Sequence, residues 1–177
     1  FSRAKSKESF KRKLNKEPGK YSAGGKLVQD MIGIRVAVYF MDDVEIVKEL
    51  FISSFKLEEL VQDPYETATF GPVRLNLIFS LPDENNGELQ RIYGSDCVDD
   101  TFELQIRTVL SEGWHEVEHD LRYKASDDWT SCDDLSRTLN GVVATLETCE
   151  WTMLTLFKDL AWRHYKAGRW EAMLRTK

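Results

Sequence analysis

The alternation of hydrophobic and polar positions predicts three strands in the first two thirds of the chain. In residues 101–108 (TFELQIRT) apolar and polar side chains alternate without interruption, which is typical of a half-buried strand. Residues 32–40 (IGIRVAVYF) and 73–81 (VRLNLIFSL) are rich in β-branched and aromatic side chains, which predicts two buried strands.

Apolar residues at three- and four-residue steps predict helices between and after these strands. The predicted helices cover residues 6–16, 42–53, 109–124 and 131–165. The polar stretch 83–94 contains Asn-Gly and Tyr-Gly pairs, which predicts a loop or an extended hairpin connection. The mixture of strands and helices indicates an α/β or α+β class, with a small sheet and a helical C-terminal part.

Composition adds that the chain is long enough for one domain and has an ordinary globular balance. Its 177 residues are 42% hydrophobic and 31% charged, and no apolar run approaches the roughly 20 residues of a membrane helix. We therefore expect no membrane partner. The three cysteines, Cys97, Cys132 and Cys149, are widely spaced and suggest no disulfide framework, which favours a reducing, cytoplasmic setting.

The charge is unevenly distributed along the chain. Residues 1–26 hold nine Lys/Arg and two acids, about +7, whereas the remainder holds fifteen Lys/Arg and twenty-eight acids, about −13. An acidic protein with one basic segment is not typical of a general nucleic-acid binder. The segment indicates either a local anion site or a solvated basic helix.

The stretch GWHEVEHD contains the H-E-x-x-H pattern of zinc peptidases within a predicted helix. Two observations weigh against that chemistry. Glu118 stands where a core-packing residue is usual, and the remaining histidine, His164, lies in a different predicted helix. Histidines four residues apart are also common on helix surfaces, so peptidase activity is the weakest hypothesis.

Polar side chains recur inside the predicted strands, on one face of each. These positions are Glu103, Gln105 and Arg107, then Arg74 and Asn76, and finally Arg35. A solvated sheet face would explain the pattern. Charged residues in otherwise buried strands also line functional sites or pair with one another, which makes these positions site candidates.

Four short motifs in order along the chain carry a family resemblance. They are Arg3-Ala4-Lys5-Ser6 with Ser9 and Lys13-Leu14, Asp30 to Arg35 (DMIGIR), Glu103 to Thr108 (ELQIRT), and Trp114 to Lys124 with its ending HDLRYK. In this order and spacing, the chain resembles the synthetase domain of the RelA/SpoT family, the (p)ppGpp synthetases, which include the small alarmone synthetases.

The resemblance implies a nucleotidyltransferase-like α+β fold, a mixed β-sheet flanked by helices. It implies a single domain over residues 1–177, with a catalytic core at about 1–125 and a helical C-terminal extension at about 131–177. The extension is a candidate surface for homo-oligomerisation, as in the small synthetases. The implied activity is that of a GTP pyrophosphokinase, which transfers the β,γ-pyrophosphate of ATP to the 3′-hydroxyl of GDP or GTP and releases AMP.

By position, the resemblance assigns the basic opening segment to ATP. Arg3 and Arg35 would hold the adenine, because planar guanidinium groups stack on bases. Lys5 and Lys13 would contact the phosphates, with help from Ser9. These assignments account for the positive charge of residues 1–26.

The resemblance also assigns the carboxylates. Asp30 would bind Mg²⁺, and Glu103 would complete the metal site or activate the acceptor hydroxyl. We expect the two to meet across neighbouring strands, with Gln105 and Arg107 supporting the acceptor side. The supporting residues implied by the last motif, which either contact phosphate or pack the helix, are His119, Tyr123 and Lys124.

The acceptor loop departs from the family pattern. Pro72 stands where the family has a guanine-stacking Tyr, Asn76 stands where it has a His, and the preceding stretch is acidic rather than lysine-rich. We expect Tyr65 or Phe70 to provide an aromatic platform, which contributes roughly 1–3 kcal/mol to base binding. The acceptor-binding residues predicted in this way are Tyr65, Arg74, Asn76, Gln105 and Arg107.

The altered loop leaves two alternatives to a purine-nucleotide acceptor. One is toxin-like pyrophosphorylation of the tRNA 3′ end, although the acidic bulk of the chain disfavours a polyanionic partner. The other is a non-catalytic nucleotide-binding domain with a regulatory role. Two carboxylates beside a triphosphate argue against a pure binding domain.

Overall fold

The computed structural model describes residues 1–16, 18–62 and 75–176 of the chain. Within these residues the strands are β1 (Ser2–Ala4), β2 (Ile32–Val38), β3 (Leu57–Gln62), β4 (Leu75–Ser80) and β5 (Thr101–Thr108). The α-helices are α1 (Lys7–Lys16), α2 (Met41–Ser54), α3 (Glu88–Tyr93), α4 (Val109–Glu118), α5 (Asp133–Lys166) and α6 (Trp170–Arg175). Short turns of other helix types cover Asp83–Asn85, His119–Tyr123 and Ser126–Trp129.

The strands form one sheet of order β1-β2-β5-β4-β3. The pairs β1–β2, β3–β4 and β4–β5 are antiparallel. A parallel bridge between Val28 and Val98 lies just before β2 and β5, so these two strands enter the sheet in the same direction. The sheet is therefore mixed, and the predicted α+β class is confirmed.

Strand β5 has two distinct faces, as its alternation predicted. Phe102, Leu104 and Ile106 are 3%, 0% and 3% exposed, whereas the residues between them are half-buried. On the apolar face, the Phe102 ring contacts the rings of Phe55 and Phe79, with centroids 5.2 Å and 5.4 Å apart. Phe51 extends this cluster through Phe79, at 6.0 Å. This packing turns Glu103, Gln105 and Arg107 to the opposite face of the sheet.

A second core cluster attaches α1 to the segments that precede β2 and β5. Its buried members are Phe10, Val28, Met31, Leu89 and Val98. Helix α1 starts where Ser6 caps it, with the Ser9 amide donating to the Ser6 hydroxyl at 3.2 Å. The cap and the burial of Phe10 together fix the position of the basic opening segment.

The prediction of a loop or extended connection at 83–94 is wrong, because α3 occupies Glu88–Tyr93. Gly87 and Gly94 bracket this helix with φ of 75° and 64°, a conformation that glycine adopts without strain. The Gly87 amide also donates to Asp100 at 2.6 Å. Leu89 is buried in the core. Tertiary packing therefore stabilises a helix that the polar composition of the segment did not predict.

The edge strands β1 and β3 carry no clear hydrophobic pattern and were not predicted. All three residues of β1 are exposed, as are five of the six residues of β3. The predicted strand 73–81 is observed as β4, and its first two residues lie outside the described part of the chain. Edge strands have one unpaired side and little burial, so sequence alternation is weak there.

The described residues divide into two compact units. The first contains residues 1–16, 18–37, 45–62 and 75–107, and the second contains 38–44 and 108–176. In the second unit, α4 begins at the Thr108 cap, whose hydroxyl accepts from the Ser111 amide at 3.1 Å. Within the described ranges, none of the helices has both the length and the apolar character to cross a membrane.

Candidate active site

Asp30 sits between two lysines immediately before β2. Its Oδ2 atom is 2.5 Å from Nζ of Lys5 and 2.9 Å from Nζ of Lys13. Burial alone would raise the pKa of Asp30, but the hydrogen bonds and charges of Lys13 and Lys5 outweigh it and lower the pKa below its usual 3.8. These three residues are called the lysine cluster below.

The pKa of Lys13 responds to the same contact. Burial lowers it, but the hydrogen bond and charge of Asp30, followed by the influence of Tyr21, raise it above 10.5 overall. The Lys13 ammonium also lies 5.4 Å from the centre of the Tyr21 ring, within the range of a cation–π contact. Lys13 is therefore a stable cation in this position.

Local structure explains why the lysines converge. Lys5 follows β1 directly, and its amide donates to the carbonyl of Met31 at 2.8 Å, which places Lys5 beside Asp30. Lys13 lies on α1, two turns into the helix that Ser6 caps. Residues separated by 17 and 25 positions from Asp30 thus meet at one carboxylate.

Among the described residues, side-chain hydrogen bonds link neighbouring strands across the polar face of the sheet. Nδ2 of Asn76 on β4 donates to Oε1 of Glu103 on β5 at 2.8 Å, and these two residues are called the Glu103–Asn76 pair below. Nε of Arg35 on β2 donates to Oε1 of Gln105 at 3.3 Å. Three neighbouring strands therefore contribute to one connected polar surface.

One cavity of about 220 Å³ is lined by two members of the lysine cluster and by the Glu103–Asn76 pair. Its lining includes Lys13, Asp30, Asn76 and Glu103, and it is entirely within the first unit. Asp30 and Glu103 therefore line the same cavity, although 73 positions separate them in the chain. The part that the two carboxylates play in the mechanism stays a prediction.

Strand β3 adds Glu59 and Val61 to this cavity. Neither was identified from the sequence, because β3 itself was not predicted. In the register of the sheet, Glu59 lies opposite Ile78 and Val61 lies opposite Asn76. Recognising β3 as an edge strand beside β4 is the step that would have revealed them.

Of the other predicted ATP-binding residues, Arg35 lies on this polar face and Arg3 lies on the neighbouring strand β1. Arg3 on β1 lies opposite Gly33 on β2, and its side chain passes 3.9 Å from where a β-carbon at Gly33 would stand. Ser9 instead contacts its own helix, because its hydroxyl accepts from Ser6 and from Arg12 at 3.1 Å and 3.0 Å. Arg107, which was predicted to bind the acceptor, lies on the polar face of β5.

Tyr65, Phe70, Pro72 and Arg74, on which the acceptor predictions partly depend, lie outside the described residues. His119, Tyr123 and Lys124 belong to the second unit. There the rings of His115, His119 and Tyr123 stack with centroids 5.7 Å and 5.6 Å apart. Hydrogen bonds from Lys124 and His119 lower the pKa of Asp120.

The donor atoms of the cavity fit a magnesium ion that is shared with a phosphate chain. Oδ1 of Asp30 is buried and accepts no hydrogen bond from the described residues. Across those residues there is no group of three or more His, Cys, Asp or Glu arranged to hold a metal ion. Mg²⁺ is commonly bound through one or two carboxylates plus substrate phosphates, so two carboxylates suffice in this setting.

Comparison with known proteins identifies the family of this chain. The model of a region found in RelA/SpoT proteins matches residues 2–128, so the chain belongs to the RelA/SpoT family. GTP pyrophosphokinase YjbM of Bacillus subtilis strain 168 is 33% identical over 101 residues, which are 56% of this chain. The match covers 44% of that relative, less than half of its length.

The fold is shared with solved small alarmone synthetases. Small alarmone synthetase 2 of Bacillus subtilis superposes with a TM-score of 0.64 at 24% identity, covering 90% of this chain and 79% of that one. Small alarmone synthetase 1 of the same organism, bound to its product pppGpp, gives a TM-score of 0.65 at 20% identity, covering 90% and 78%. The predicted fold and family are thereby confirmed.

Proposed function

We propose that this protein is a nucleotide pyrophosphokinase that transfers the β,γ-pyrophosphate of ATP to the 3′-hydroxyl of GDP, GTP or a related purine nucleotide. The observation that carries the proposal is the cavity shared by Asp30, Lys13 and Glu103. The shared lining supports a phosphate chain held by Lys13 next to Glu103 as the carboxylate that takes a proton. Family membership and the similarity to a protein named GTP pyrophosphokinase support the same reaction.

On the donor side, the lysine cluster would receive the triphosphate. Lys5 and Lys13 now donate to Asp30, and both are mobile point charges on flexible stems. A phosphate chain carries more negative charge than one carboxylate. The lysines would therefore turn to the phosphates and release Oδ2 of Asp30. Arg3 and Arg35 border the same sheet region and would stack on the adenine.

Mg²⁺, when bound, would neutralise charge on the phosphate chain. Asp30 would hold it, and Glu103 would be reserved for proton transfer from the acceptor. The buried Oδ1 of Asp30, without a hydrogen bond among the described residues, supports this assignment. Lys5 and Lys13 would share the task of neutralising the developing charge from the other side.

On the acceptor side, Glu103 would act as the base. The acceptor 3′-oxygen attacks the β-phosphorus while its proton passes to the Glu103 carboxylate. The bond between the β-phosphorus and the α,β-bridging oxygen breaks, and that oxygen leaves with AMP. Asn76 would keep Glu103 in the productive orientation through its hydrogen bond.

A guanine nucleotide is the acceptor that the relatives support, since the small alarmone synthetase 1 structure contains pppGpp as its product. Gln105 and Arg107 on the polar face of β5 would contact this acceptor, together with Arg74 and Tyr65. Asn76 would replace the family histidine by holding Glu103 rather than by contacting the base.

The test uses ATP labelled at the γ-phosphate, Mg²⁺ and separate acceptors: GDP, GTP, ADP, ATP and bulk tRNA. Label transfer and AMP release are both followed, with Glu103→Gln as the inactive variant. Glu49→Gln is the matched control, because Glu49 is an exposed glutamate on α2 outside the cavity. We expect equal amounts of labelled GDP or GTP product and AMP in the native protein and the control.

Transfer to tRNA alone would replace the proposed acceptor while keeping the chemistry. ATP binding without transfer to any acceptor would overturn the enzymatic proposal in favour of a nucleotide-binding regulatory domain.

A further inference from the structure

Tyr93, the last residue of α3, reaches back to the basic opening segment. Its hydroxyl donates to the main-chain carbonyl of Lys5 at 2.5 Å, across 88 positions of sequence. Tyr93 lies within the first unit and packs against the core cluster that contains Phe10 and Met31. Neither the motifs nor the polar strand pattern pointed to this residue.

The hydrogen bond from Tyr93 acts on a residue that is already held on its other side. The amide of Lys5 donates to the Met31 carbonyl at 2.8 Å, next in sequence to Asp30. With its amide and its carbonyl both bonded, the main chain of Lys5 has little freedom to rotate. The starting point of the Lys5 side chain is therefore fixed beside the carboxylate that it contacts.

The Tyr93 ring also positions α1. It meets the Phe10 ring edge-to-face, with centroids 5.7 Å apart and planes at 64°. Phe10 is 4% exposed, and Lys13 is three residues further along the same helix. A single tyrosine thus contacts the main chain of one lysine of the cluster and the helix that carries the other.

Tyr93 is itself held in place at the end of α3. The helix stops because Gly94 adopts φ of 64°, and the Gly94 amide donates to the Gln90 carbonyl at 2.8 Å. The Gln90 side chain in turn donates to the Val98 carbonyl at 3.1 Å, just before β5. The hydroxyl of Tyr93 therefore projects from a fixed point of the core.

We propose that Tyr93 is a positioning residue for the donor phosphates, acting through the main chain of Lys5. This inference rests on the proposed function, because it assigns Lys5 and Lys13 to the phosphate chain of ATP. Tyr93 touches neither substrate nor the reacting atoms in this proposal. Its role is to hold the lysines at the spacing that the β- and γ-phosphates require.

The test compares Tyr93→Phe with the native protein for two ligands. One is a non-hydrolysable ATP analogue with Mg²⁺, and the other is AMP, which has the adenine but lacks the β- and γ-phosphates. Calorimetry measures the analogue, and ligand-observed NMR measures AMP up to millimolar concentration. Tyr93→Phe keeps the ring and its contact with Phe10 and removes only the hydroxyl.

We expect the variant to bind the ATP analogue roughly three- to tenfold more weakly, which corresponds to the free energy of one internal hydrogen bond being lost from the placement of Lys5. AMP binding should change less than twofold, because the adenine contacts do not depend on Lys5. Tyr39→Phe is the control, since Tyr39 is 77% exposed and also loses one hydroxyl. The control should bind both ligands as the native protein does.

Two results would overturn the inference while leaving the proposed function intact. The first is unchanged binding of the ATP analogue by Tyr93→Phe. The second is an equal loss for both ligands, accompanied by a lower melting temperature, which would show a general structural role. If the native protein binds no ATP analogue at all, the proposed function fails, and this inference fails with it.

If Tyr93→Phe folds poorly, steady-state kinetics on the folded fraction provides the second measurement. A positioning role predicts a raised KM for ATP with the KM for the acceptor unchanged. A rise in both KM values would contradict the inference.

Discussion

The lysine cluster and the Glu103–Asn76 pair are two carboxylate sites in one cavity, but they are held in different ways. Asp30 is bonded to two cations, whose hydrogen bonds and charges lower its pKa despite burial. Glu103 accepts from the neutral amide of Asn76. The first arrangement can exchange ionic partners when an anion arrives, whereas the second fixes orientation without neutralising the charge.

This difference assigns separate tasks to the two sites. A carboxylate whose partners are lysines is suited to a site for metal and phosphate. The carboxylate can exchange a lysine for a metal ion, and the lysine can exchange the carboxylate for a phosphate. A carboxylate held by an amide is aimed by that hydrogen bond, which suits it to accepting a proton from a substrate hydroxyl. The following predictions test the division, starting with the largest expected effect.

Glu103→Gln should abolish transfer without affecting donor binding. Loss of a general base costs about 10²–10⁴-fold in rate. Glutamine keeps the shape of the side chain, and the lysine cluster is unchanged, so binding of an ATP analogue should stay within about threefold of the native value. Rapid-quench kinetics and calorimetry measure the two quantities. A parallel loss of binding would show that the two sites do not act separately.

Asp30→Asn should abolish the dependence of ATP binding on Mg²⁺ while freeing the lysines. With Mg²⁺ removed by a chelator, we expect the variant to bind the ATP analogue several-fold more tightly than the native protein, because no carboxylate competes for Lys5 and Lys13. With Mg²⁺ present, it should gain little affinity and transfer no pyrophosphate. Calorimetry with and without Mg²⁺ provides both comparisons.

The control for that experiment is Asp96→Asn, which removes one negative charge from an exposed position of the same unit. If the control tightens metal-free binding equally, the effect comes from net charge, and competition within the lysine cluster is refuted.

Asn76→Ala should lower the turnover number about tenfold by releasing Glu103 from its hydrogen bond. Donor binding should be unaffected. Asn85→Ala is the matched control, because Asn85 donates to Glu88 at 3.1 Å in an exposed turn outside the cavity. A change in donor affinity with native turnover would contradict the assigned role of Asn76.

The smallest expected effect is a dependence of the free energy of unfolding on pH. The folded-state pKa of Asp30 is lowered, so its ion pairs stabilise the fold fully above the usual pKa of 3.8. That contribution disappears as the pH falls below 3.8 through the folded-state value. Urea midpoints of the native protein and Asp30→Asn should therefore differ at pH 6 and converge as the pH falls below 3.8. A constant difference would mean that Asp30 does not titrate as described.

The reliability of the sequence predictions follows the strength of each local signal. Strand β5 was predicted with its observed bounds because its alternation is unbroken and one face is buried. Helix α3 was missed because Gly87 and Gly94, which usually mark turns, here bracket a short helix packed through Leu89. Strand β3 was missed because most of its side chains are exposed.

For the site, the motifs identified Asp30, Lys5, Lys13 and Glu103, and the structure brings three of these to one cavity. Their catalytic and binding roles remain predictions. Glu59 and Tyr93 could not be found in the same way, since neither lies in a motif or in a recognised polar row. Each becomes visible only through its contacts with distant segments.

The sequence by itself determined the chemical groups, the strand faces and the family, because these depend on local order and alternation. Only the tertiary structure decided the partners of each charge. Asp30 is 17 and 25 positions from its lysines, Glu103 is 27 from Asn76, and Tyr93 is 88 from Lys5. The packing of the core and the order of the strands bring these sequence-distant residues into contact. No local sequence pattern encodes either of them.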